Sequence, residues 1–200
     1  MRLHAACRLV FLLATLHLVS PVYADTWRAP ATRQHRSADG AWRLTVEPRV
    51  SADQRRYLGD RRTGEDRTHR AADDVQAAAI GTMEHCIQGV CSRSWRRNLF
   101  NAVAPVSVIV TDDGHVMTLD NWSSMGFGPH AVALYDAAGS PIAKYALTDF
   151  LPEEYVMALP RSVSSLHWRG SPRIDGDGVR IVVPVVVPSE AADEEDDEHT

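Results

Sequence analysis

Cysteine is scarce in this chain. Of three cysteines, Cys7 lies in the N-terminal segment, which leaves Cys86 and Cys91 in the stretch EHCIQGVCSR. The redox-type spacing C-x-x-C is missing. His85 is adjacent, but no second Cys or His pair follows at a spacing that would complete a zinc site. No G-x-S-x-G is present either. That speaks against a serine nucleophile on a strand-to-helix elbow, despite the grouping of Ser162, Ser164, Ser165 and His167. A membrane-spanning run is also missing. The apolar stretch LVFLLATLHLVS (9–20) falls short of the ~20 residues that cross a bilayer as a helix. The Arg-rich region before residue 70 interleaves acids with its arginines and brings no aromatic stacking platform of its own, which argues against nucleic-acid binding.

The ends of the chain carry composition signals. Arg2 and Arg8 precede the apolar run, and Val22-Tyr23-Ala24 follows it in the small-x-small pattern of a signal-peptidase site. The expectation is a cleaved signal peptide over 1–24 and a mature chain exported to a periplasm or beyond. An uncleaved N-terminal anchor is the alternative. Residues 25–70 hold eleven Arg and seven acids, and read as a polar arm and linker with one strand. Residues 71–188 read as a β domain. Residues 189–200, SEAADEEDDEHT, hold seven acids and no Lys or Arg, the composition of a solvated, disordered tail. Weak divalent-cation binding, or pairing with the chain's own basic arm, is the sharper reading of that tail.

An exported cysteine pair is usually a disulfide. With Gln88-Gly89 as a two-residue hairpin turn, Ile87 faces Val90 and Cys86 faces Cys91, close enough for a bridge. So small a ring contributes roughly 2 kcal/mol on the loop-entropy account.

The fold class follows from turn chemistry. APVSVIVTDDGHVMTLDNW places Asp-Gly between two β-branched, alternating runs, the strongest short-range hairpin signal. HAVALYDAAGSPIAKYAL, PRIDGDGVRIVVPVVVP and SADGAWRLTVEP repeat the grammar around Gly139, Gly178 and Gly40. The expectation is an all-β antiparallel meander, partly or wholly propeller-like, with one short helix near 152–159. Pro152 would open that helix, Glu153 and Glu154 would fill its first turn, and Pro160 would stop it. AADDVQAAAIGTMEHC (71–86) suits helix or strand, with strand preferred. SVSSLHW reads as a short strand that turns Leu166 and Trp168 inward. Pro184 marks an edge or an interruption.

Two places invite chemistry. In TLDNWSSMGFGPHAVALYD (118–136), Asp120, Asn121, Trp122 and His130 could converge. His130 would be a ligand or base, Asp120 its orienter and Trp122 a stacking face. The simpler reading is a structural connection. There Gly126 and Gly128 relax the backbone, Pro129 fixes it, and Asn121 and the serines bond loop groups. Asp112-Asp113 and Asp175-x-Asp177 look like fragments of calcium loops but lack the third oxygen position and the closing Glu. Turn formation explains both.

The stretches DNWSSMGFGPH, ALYDAAGSPIAKYALTDFLPEEY and LPRSVSSLHWR resemble a group of uncharacterised exported bacterial proteins. These join a D-D-G hairpin, a D-N-W-x-x-x-G loop, a Y-D-x-x-G hairpin and an S-V-S-S-x-x-W strand. The likeness spans about residues 86–187. It implies a meander or propeller-like β domain and brings no catalytic residue with it. The functional expectation is therefore an exported, non-enzymatic domain that binds an envelope component or partner protein through Asp120, Asn121, Trp122 and His130. No metal, cofactor or nucleic acid is expected. The alternative is an envelope hydrolase or metal-dependent enzyme built on the same loop.

Overall fold

The computed structural model describes residues 27–49 and 78–188. The expected signal peptide, the 50–77 linker with the start of the Ala-rich stretch, and the acidic tail lie outside them.

The described chain is mainly β, in three antiparallel sheets whose strands follow sequence order. The first sheet runs β1 (Arg33–Arg36), β2 (Trp42–Glu47), β3 (Ile80–Ile87) and β4 (Val90–Asn98). The second runs β5 (Pro105–Val110), β6 (Val116–Asn121), β7 (Val132–Tyr135) and β8 (Pro141–Tyr145). The third is the hairpin β9 (Arg173–Ile174) and β10 (Ile181–Val182). Strand was the better reading at the end of the Ala-rich stretch, since β3 starts at Ile80.

The turns form for the reason their residues suggest. Each of the four Gly-containing turns closes with the glycine N–H donating to the carbonyl three residues back: Gly40 to Ser37, Gly114 to Thr111, Gly139 to Asp136 and Gly178 to Asp175. All four glycines sit at φ between 74° and 83°, which a side chain resists. The carboxylates beside them bond the turn itself. Asp113 accepts from the Thr111 hydroxyl, and Asp177 accepts the Val179 and Arg180 N–H groups at 3.1 and 2.9 Å. Those bonds hold both carboxyls below their usual range. At the tip of β3–β4, Gln88 and Gly89 take φ of 50° and 82°, as a primed two-residue turn requires. Cys86 faces Cys91 there, with Cα atoms 3.9 Å apart, and the two are disulfide-bonded.

Two cores hold these elements together. The first joins Leu44, Val46, Met83, Trp95 and Leu99 to Val110, Val116, Ala133 and Tyr135 across the first two sheets. The second lies on the far end of sheet two, where Leu119, Ala131 and Val132 meet Leu147, Leu159, Leu166 and Trp168. Tryptophans of the first sheet also seal turns of the second: Trp42 lies against Gly114 and Trp95 against Gly139, where an added Cβ would come within 2.7 and 2.6 Å of the rings. The entry turns of all three sheets meet at Asp112. Its carboxylate accepts the Asp39 N–H at 3.0 Å, and its own N–H donates to the Gly178 carbonyl at 3.0 Å.

The expected helix is α1 (Glu153–Ala158), preceded by a single 3-10 turn at Leu147–Asp149. Pro152 stands one position earlier than anticipated, as the N-cap, and its carbonyl accepts the Val156 N–H at 3.1 Å. SVSSLHW is not a strand. Only isolated bridges form there, Met125 with Ser165 and Arg161 with Leu166, because Ser162 bonds back to Ser165 and folds the segment on itself. Leu166 and Trp168 still point inward, at 4 % and 1 % exposure. β10 ends before Pro184, whose carbonyl takes the Gly170 N–H at 2.9 Å.

Candidate functional site

The 118–136 loop divides into a closed part and an open part. Asp120 is the penultimate residue of β6, with φ of 59° and no solvent exposure. One carboxylate oxygen accepts the Trp168 indole N–H at 2.8 Å and the Gly126 N–H at 2.9 Å. The other accepts the Arg169 guanidinium, with Nε at 2.7 Å. Arg169 also donates to the Ser107 hydroxyl at 3.1 Å, and its side chain is only 5 % exposed. A buried carboxylate needs this saturation, since an unpaired charge would cost several kcal/mol. Gly126 is required by the same lock. Its φ is 75°, and a Cβ there would come within 2.8 Å of Leu166 and 3.0 Å of Trp168. The Asp, Gly and Trp of the two quoted motifs thus bind one another.

Asn121 is held beside this lock. Asn101, fully buried, donates to the Asp120 carbonyl at 2.8 Å and to the Asn121 side-chain oxygen at 3.2 Å. Its backbone carbonyl takes the Ala79 N–H, so one residue ties the chain just before β3 to the loop. His130 lies elsewhere. Its ring rests on Phe100, centroids 5.1 Å apart, and Lys144 sits over the same phenyl ring. Burial lowers the His130 pKa and Lys144 adds to this, while the Pro129 backbone opposes both. Asp120, with both oxygens engaged by Trp168, Gly126 and Arg169, does not orient His130. Among the described residues no three of His, Cys, Asp and Glu gather as metal ligands would.

Trp122 faces the other way. Its indole N–H donates to the Arg28 carbonyl at 2.9 Å, and its ring meets Trp27 edge-on, centroids 6.2 Å apart. Trp27 in turn donates to the Ser164 hydroxyl at 2.9 Å. The two indoles border a cleft of about 220 Å³ that Arg28, Arg33 and His35 also line, with Val46 and Pro105 among its apolar floor. Both arginines are exposed. Burial, and then the charge of Arg33, lower the His35 pKa. Trp27 stands next to Arg28 in the sequence, and folding adds the second indole, Trp122, from 94 residues beyond Arg28.

No family model, curated protein or solved structure matches the chain. Among the described residues no helix is long and apolar enough to cross a membrane.

Proposed function

We propose that this chain is an exported, non-enzymatic β domain that binds a cell-envelope component or partner protein, with Trp122 as the anchor of its contact. The observation that carries this is the placement of Trp122. Of the four loop residues singled out by sequence, Trp122 lines this cleft, together with a second indole and three basic side chains. Aromatic and arginine side chains dominate the energetics of such contacts. The export reading is supported by the N-terminal pattern and by the Cys86–Cys91 bridge, a bond that persists in oxidising compartments. The propeller-like reading is supported by the three sheets in sequence order and by the meeting of their entry turns at Asp112. Membership in the group that shares the D-N-W-x-x-x-G and S-V-S-S-x-x-W motifs rests on those motifs alone.

The test is a thermal-shift panel of glycans, peptides and envelope fragments on the native chain and on Trp122→Ala. A ligand specific to the folded state raises the midpoint by mass action. At least one class should raise the native midpoint and leave that of the variant unmoved. Equal shifts in both proteins would remove Trp122 from the contact, and a panel without any shift would count against a binding role.

A further inference from the structure

The cleft has a charge preference. Arg28, Arg33 and His35 line it and no carboxylate does. Among the described residues, neither arginine belongs to an ion pair. Guanidinium groups flanked by indole faces suit carboxylates carried on a flexible chain. The same protein holds a run of carboxylates: residues 189–200 carry seven acids and no Lys or Arg.

The segment starts within reach. Val186 donates its N–H to the Trp168 carbonyl at 2.8 Å, and Ser164, four residues before Trp168, accepts the Trp27 indole N–H. Four residues of chain span at most about 14 Å, and the three from Val186 to Ser189 at most about 11 Å. With the linking side chain, backbone atoms and hydrogen bonds added, Ser189 begins within roughly 37 Å of the Trp27 indole, and twelve residues can extend about 40 Å.

We propose that the Trp27–Trp122 cleft is a site for carboxylate-rich peptide, and that residues 189–200 of this chain are its resident occupant. This deepens, and rests on, the reading of Trp122 as the anchor of a binding cleft. Tethering supplies the segment at a millimolar effective concentration, so an external ligand must displace it. For a segment affinity of about 100 µM, the apparent affinity of a competitor falls about tenfold.

The experiment uses the full chain in two forms, native and with the seven acids of 189–200 changed to Asn or Gln. The probe is a fluorescent synthetic peptide, SEAADEEDDEHT. It should bind the neutralised chain about tenfold more tightly than the native one, and the binding should weaken steeply with added salt. Neutralisation should also shift the Trp27 and Trp122 indole N–H resonances. Arg28→Glu with Arg33→Glu, both on exposed positions, should abolish peptide binding to the neutralised chain. Peptide binding to neither form overturns the proposal, as does equal binding to both with unmoved indole resonances. Binding that survives the double charge reversal overturns the placement in this cleft. The envelope-ligand panel uses other probes, so its failure is separable from each of these.

Discussion

Asp120 and Trp122 are two residues apart and lie in opposite surroundings. Asp120 is sealed, with each oxygen engaged by Trp168, Gly126 or Arg169. Trp122 is half-buried at the rim of a cleft, with one indole N–H bonded to a backbone carbonyl. The comparison separates two roles that look alike in sequence. A polar residue in a loop can hold the loop together, and its neighbour can then be presented by it. The lock on one side of Asn121 fixes where Trp122 stands.

The sharpest way to break this contrast is Arg169→Met. It leaves the Asp120 carboxylate buried and without its cation, which should cost about 3–5 kcal/mol in urea denaturation. A loss below about 1 kcal/mol would mean that the pair is not closed in solution. Next is Gly126→Ala, which puts a Cβ against Leu166 and Trp168 at a φ that side chains resist. A loss of about 2 kcal/mol is the expected outcome. Trp122→Ala should cost only about 1 kcal/mol, because its ring is partly open to solvent and the bond it makes is a single neutral one. A large stability loss there would make Trp122 part of the lock.

The smallest effect concerns His130. Its folded pKa is depressed, chiefly by burial, below an unfolded value near 6.5. The folded state therefore binds fewer protons than the unfolded one at mildly acid pH. The contribution of His130 is fully present above about pH 6.5 and is lost as the pH falls through the depressed folded value. His130→Gln should flatten the slope of stability between pH 7 and about pH 5. An unchanged slope would assign it to other groups, His35 first among them because its pKa is lowered as well.

What the sequence made legible was local. Asp-Gly and Ala-Gly turns between alternating runs led to the hairpins at Gly114, Gly139 and Gly178, because those turns are determined by their own few residues. The Cys86–Cys91 pairing was legible for the same reason. β1 was not, since RQHR shows no apolar alternation and three of its four residues are exposed. The partners of the loop were hidden too. Arg169 lies 49 residues from Asp120, and Arg28 lies 94 from Trp122; nothing near either end of these contacts announces the other. SVSSLHW was misread as a strand because Leu166 and Trp168 stand two apart among polar residues, while the bond from Ser162 to Ser165 breaks the extension.

The Asp120–Arg169 pair also bears on the order in which this protein can be completed. A chain is made from its N-terminus, so β5 to β8 exist before Arg169 does. Until Arg169 arrives, sheet two can close only by enclosing an unpaired carboxylate, at a cost of several kcal/mol. Trp168 arrives just as late, and Val183 and Val186 of the same core arrive later still. The second sheet should therefore stay unfinished on a growing chain, and settle only once Trp168 and Arg169 are delivered.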